Sequence, residues 1–98
     1  MYELRFEWDL HKANENRRKH GVSFDEAETI FSDEFAYLID DHDHSGEEDR
    51  FLLLGLSVLL RTLVVCHCYR EADNVIRIIS ARKATRKERD FYNQRWHR

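Results

Sequence analysis

Apolar and polar positions alternate at the start of the chain, where "YELRFEWD" puts Leu4 and Phe6 on one face and predicts a short strand over residues 2–7. The pattern then changes. Asp9 has the side chain of a helix N-cap and Gly21 stands at the C′ position, so Leu10–His20 reads as a helix. Leu10 and Ala13 are its main apolar residues, and its cations gather in the last turn as Arg17, Arg18, Lys19 and His20, where they favour the dipole. Lys12, Asn16 and His20 recur at i, i+4 and i+8 and share one side of that helix, with Lys19 beside them. In "VSFDEAETIF", Ser23 and Glu26 predict a capping box, and Phe24, Ala27, Ile30 and Phe31 give the stripe of a second helix over about residues 24–31.

Four β-forming runs follow: "EFAYLID" (34–40), "RFLLLGLS" (50–57), "TLVVCHCYR" (62–70) and "VIRIISAR" (75–82). "DDHDHSGEED" (40–49) reads as a polar, flexible loop and "READN" (70–74) as a turn, whereas "VLLR" between the two central strands lacks good turn residues. Thr85 and Glu88 make a second capping box, opening a terminal helix. The expected order is β-α-α-β-β-β-β-α. It is an α+β fold, with a mostly antiparallel sheet and helices on one face. With no proline, internal repeat or linker, residues 1–98 are expected to form a single domain.

Composition narrows the class. At 98 residues and 42% hydrophobic, the chain can bury one modest core in two packed layers. Cys66 and Cys68, two apart on a strand, would lie roughly 6.5–7 Å apart on the same face, which suits a disulfide poorly. Both are read as reduced thiols of a cytoplasmic protein. No run approaches the ~20 apolar residues of a membrane span, and the polar N-terminus does not read as a signal peptide.

Charge is unevenly placed, which matters more than its sum of −3. Residues 1–75 hold 8 basic and 17 acidic side chains, a net of −9, while residues 76–98 hold 8 basic and 2 acidic, a net of +6. From Gly21 to Asp49 there is no Lys or Arg, yet eleven carboxylates occur. Segregation of this kind serves solubility and helix ends, or it makes a dipolar molecule with a basic face for nucleic acid and an acidic face for a basic partner.

"FEWDLHKANENRRKHGVSFDEAETIF" near the start and "RIISARKATRKERDFY" (77–92) near the end resemble the BrnT toxin family, and "EEDRFLLLGLS" fits its central segment. The likeness runs in register over roughly residues 5–92. It implies a compact RelE-like fold and a ribonuclease toxin of a type II toxin–antitoxin pair. Such a toxin is an mRNA interferase-like endonuclease that inhibits translation and growth. It also implies a BrnA-type ribbon-helix-helix antitoxin, which silences the toxin and brings it to operator DNA, so that the pair represses its own operon. This chain departs from the family's pattern in the turn between the central strands, where Leu60-Arg61 replaces the usual Gly-Arg, and in the longer "CHCYREADN".

RNA supplies its own 2′-OH nucleophile, so cleavage needs a base, an acid and cations for the developing charge, and neither a metal nor a cofactor. Arg77 projects from the last strand opposite Ile76 and Ile78, with Ile79 and Ala81, either as a phosphate clamp or paired with a carboxylate such as Glu7 or Asp9. Arg82 and Lys83 sit just before a helix N-terminus, where cations are unfavourable unless an anion joins them. That makes "ARKATRK" the best phosphate site. Lys12, Lys19 and His20 are a solvated helix end or, given the family's "K…N…KHG" hallmark, part of the site. Lys19 would stabilise charge there, and His20 would serve as acid or base. His67 is a catalytic candidate or a satisfied strand histidine, and Tyr92 stacks on a base or lies in the core. Glu88 reads as a cap before a base, and Trp8 as core.

His42 and His44 in "DDHDH", with "CHC", are ligand types without zinc spacing, so no metal is expected. The leading expectation is a metal-independent endoribonuclease. The alternatives are a non-catalytic nucleic-acid-binding module working with a DNA-binding antitoxin, and a metal-dependent hydrolase using the His/Asp loop.

Overall fold

A computed structural model describes residues 4–40, 49–70 and 74–95. The elements are β1 (Arg5–Glu7), α1 (Leu10–His20), α2 (Phe24–Thr29), a 3-10 turn (Ile30–Ser32), β2 (Tyr37–Asp40), β3 (Phe51–Leu56), β4 (Thr62–Arg70), β5 (Val75–Lys83) and α3 (Arg86–Gln94). The loop expected at 40–49 and the turn at 70–74 fall largely outside the described residues, as do His42 and His44. The strands lie side by side as β1-β5-β4-β3-β2. β1 runs parallel to β5, and the other neighbours are antiparallel.

Local chemistry sets the helix limits. Asp9 accepts from the Lys12 N–H at 3.1 Å, and Gly21, at φ 70°, ends α1 by donating to the Arg17 carbonyl. Thr85 and Glu88 close a complete capping box on α3. At α2 the expected box is only half made. Ser23 Oγ accepts from the Glu26 N–H, but the Glu26 side chain turns inward to a stronger partner set, Ser57 Oγ at 2.7 Å and the Arg61 guanidinium. The helix expected to reach residue 31 tightens into the 3-10 turn, which comes so close to β3 that a Cβ on Gly55 would lie 3.1 Å from Ile30 Cβ.

The core has two sides, which corrects the expectation of helices on one face. Leu53, Leu63, Val65, Ile76 and Ile78 pack with Val22, Phe24, Ala27 and Ile30 under α1 and α2. Leu54 and Val64, their neighbours in sequence, point the other way onto Ala84 and Tyr92 of the α3 segment. Strand alternation sends one set of apolar residues to each side. A second correction concerns β5. Pairing steps from Cys66–Ser80 to His67–Ile78, so Ile79 is the extra residue of a bulge. The bulge returns Ala81 to the side of Ile76 and Ile78, where plain alternation places it opposite.

The β3–β4 hairpin closes despite lacking turn residues. Ser57 N–H donates to the Arg61 carbonyl at 2.8 Å, Leu60 N–H to the Ser57 carbonyl at 2.9 Å, and Leu60 takes φ 62°. Val58, Leu59 and Leu60 form the tip, exposed by 70%, 63% and 79%. Glycine is preferred where a three-residue hairpin loop turns left-handed, because a Cβ there is strained. Leu60→Gly is therefore expected to stabilise the fold by about 0.5–1 kcal/mol, after allowing for the freer unfolded glycine. The check is a higher urea midpoint at unchanged slope.

Candidate nucleic-acid interface

Asn16 decides where the cations of α1 stand. β1 stops opposite Arg77, so the flank of β5 beyond it needs other partners. Asn16 supplies them: its Nδ2 donates to the Ala81 carbonyl at 2.9 Å, and its Oδ1 accepts from the Ala81 N–H at 3.0 Å. The same Nδ2 also donates to the Val22 carbonyl at 3.0 Å. The amide thus continues the ladder as a strand would. It fixes the last turns of α1 beside the end of β5, two residues before Lys83. Arg61 adds to the hold, donating to the Gly21 carbonyl at 3.1 Å while its guanidinium grips Glu26. That grip, with burial opposing it, holds the Glu26 carboxyl below its ordinary pKa.

The candidates sort into three groups. Lys12, Lys19, His20 and Lys83 are exposed, and among the described residues their side chains make no ion pair or hydrogen bond. Of these, Lys19, His20 and Lys83 share the end of the molecule defined by the Asn16–Ala81 bonds. Lys12 lies about 12 Å back along α1 from His20.

Arg82 and Arg77 are half-exposed and already paired. Arg82 points from β5 to the α3 side, opposite Lys83, and makes a two-toothed pair with Glu88 at 2.8 and 3.0 Å. Its guanidinium, helped by the Thr85 N–H, holds the Glu88 carboxyl down to about 2. The clash of cations with a helix start is thereby relieved from within the chain: Glu88, in the first turn of α3, supplies the anion. Arg77 donates to Glu7 at 2.9 Å, with Arg70 3.6 Å from the same oxygen. It lies roughly 20 Å along the strand from Lys83 and does not join that end.

His67 and Tyr92 are core residues, the second of the two readings that each one's sequence position allows. His67 is 0% exposed, edge-on to the Phe31 ring, with Nδ1 3.1 Å from the Val65 carbonyl and Nε2 3.3 Å from the Tyr69 hydroxyl. Desolvation pushes its pKa down, favouring the neutral ring. Tyr92 is 1% exposed and donates its hydroxyl proton to Asp33, leaving no free face for a base. Trp8 is packed against the core, edge-on to Phe24.

Sequence reasoning missed Arg61, Glu26 and Asn16 as the residues that place the site. The signal was present for Arg61, next to the one turn position that departs from the glycine pattern. Among the described residues no group of three or more His, Cys, Asp and Glu is placed to hold a metal, and both cysteines are buried.

Fold and site together define a small α+β protein with an exposed cationic end and, among the described residues, no helix long and apolar enough to cross a membrane. The profile of the family described as "Ribonuclease toxin, BrnT, of type II toxin-antitoxin system" matches residues 8–88, and the chain belongs to that family. The crystal structure of the Brucella abortus ribonuclease toxin BrnT superposes with a TM-score of 0.64 at 22% identity, over 86% of this chain and 100% of that one. At that identity the likeness speaks for the fold. No curated protein sequence matches the chain.

Proposed function

We propose that this ribonuclease toxin cleaves RNA endonucleolytically without a metal, as an mRNA interferase-like enzyme of RelE-like fold acting as one domain in the cytoplasm. The observation that carries this reading is the Asn16–Ala81 clasp, which sets Lys19 and His20, exposed and without a partner among the described residues, at the end of the sheet where Lys83 leaves β5. Lys19 and Lys83 hold the scissile phosphate and stabilise its charge, and His20 moves the proton. Arg82 enters from the α3 side once phosphate competes with Glu88, because its fork suits either anion. Lys12 and Arg77 lie further out and touch flanking RNA.

The partner in this reading is a BrnA-type ribbon-helix-helix antitoxin. It silences the toxin and carries it to operator DNA, so the pair represses its own operon. A second reading, a non-catalytic RNA-binding partner of the antitoxin, draws support from the burial of His67 and Tyr92, which leaves His20 as the main proton carrier at this end. Purified protein incubated with RNA in EDTA separates them. Cleavage that persists in EDTA and growth arrest reversed by the antitoxin are expected. Binding without cleavage favours the second reading, and cleavage lost in EDTA overturns metal independence.

A further inference from the structure

The hairpin tip and the groove beside it form a surface unlike the cationic end. Three consecutive aliphatic side chains, Val58, Leu59 and Leu60, stand in solvent. They are held firmly: Val58 N–H donates to Thr29 Oγ1 at 3.0 Å, and Ser57 and Arg61 on either side of the tip are locked to Glu26. An open groove of about 720 Å³ continues from Val58 over an apolar floor that includes Phe6, Phe35 and Leu56. Its lining includes Glu28, Asp33 and Glu34 and, among the described residues, no Lys or Arg.

Asp33 is occupied by the Phe35 and Leu56 N–H groups and the Tyr92 hydroxyl. Glu28 and Glu34 have no ion-pair partner among the described residues. Burial, and then Asp25, raises the Glu28 carboxyl above its ordinary pKa, as expected of a carboxylate lacking a cation.

Such a surface repels phosphate, so RNA is not its occupant. Aliphatic anchors beside uncompensated carboxylates match a polypeptide segment that alternates Leu- or Ile-type residues with Lys or Arg. We infer that this tip and groove dock a basic, aliphatic segment of the antitoxin, an inference that rests on the toxin–antitoxin reading. Arg61 belongs to the tip and also binds the C-terminal end of α1, so a segment seated here lies next to the cationic end and can cover it. The left-handed Leu60 is then retained for its side chain, where glycine would fit the backbone better.

The test uses the full chain and the protein encoded by the adjoining gene, with affinity read by titration calorimetry. Leu59→Asp, and separately Glu28→Lys with Glu34→Lys, are expected to weaken the complex about 10–100-fold while the free chain cleaves RNA at the wild-type rate. These side chains are exposed or half-exposed, and circular dichroism confirms folding. Wild-type affinity in both variants overturns the inference. Loss of a concentration-dependent self-association, with antitoxin affinity intact, overturns it in favour of a second copy of this chain. If the wild-type chain does not bind that protein, the inference falls with the antitoxin reading, while RNA cleavage by the free chain judges the ribonuclease reading separately.

Discussion

Asn16→Ala is expected to lower the unfolding free energy by about 3 kcal/mol or more, a large loss for a residue outside the apolar core. The amide is 7% exposed and makes three hydrogen bonds, two to Ala81 and one to Val22. Truncation leaves an N–H and two carbonyls of buried backbone without partners, each costing roughly 1–3 kcal/mol when water cannot reach it. Asn16→Asp is the sharper test. The introduced carboxylate still accepts from the Ala81 N–H, but its other oxygen faces two carbonyl oxygens. Burial and those carbonyls raise its folded pKa above the unfolded value of about 3.9. The penalty is therefore complete above the folded pKa and relieved as pH falls towards the unfolded one, because the protonated acid can donate to one carbonyl. The stability gap between variant and wild type should narrow in acid. A gap independent of pH would mean that the side chain is not seated against those carbonyls.

That residue also shows where sequence reading stops. Asn16 is set on one side of α1 with Lys12 and His20 by helical spacing, which is local. Its partner is 65 residues away, and nothing local announces that β1 is too short to cover β5. The helices and strands were legible almost to their ends, since caps such as Asp9, Gly21 and Thr85 are chemistry within one turn. The side of the sheet that α3 takes was not legible, because it depends on the bulge at Ile79 and on how Ala84 leads into the helix.

The site divides the same way. Lys19, His20 and Lys83 could be recognised as exposed basic residues from their position at element ends. His67 and Tyr92 carry the same chemistry on paper, and only packing against Phe31 and Asp33 separates them from the surface. Glu26 shows the reverse error. Its spacing from Ser23 fits a capping box, but a guanidinium from a distant hairpin is the stronger partner.

Lys83→Ala and His20→Ala are each expected to slow RNA cleavage by about 10²–10³-fold, with no change in melting temperature. Both side chains are exposed and unpartnered among the described residues, so removing them leaves nothing buried or unsatisfied. Arg82→Ala should behave differently, because Arg82 serves the fold as well as the proposed phosphate site. It breaks the two-toothed pair with Glu88 and should cost about 1 kcal/mol, a modest value for a half-exposed pair. Glu88 titrates at about 2 in the folded protein against an ordinary 4.5, so the stability it contributes is present above 4.5 and lost as pH falls towards 2. Arg82→Ala should flatten that acid limb, which a role confined to RNA would not do. The salt dependence of RNA binding reads the other role: each phosphate contact removed lowers the slope by about one. A flattened acid limb with an unchanged salt slope would make Arg82 purely structural. Both effects together would make Glu88 the anion that holds the Arg82 fork in place until RNA displaces it.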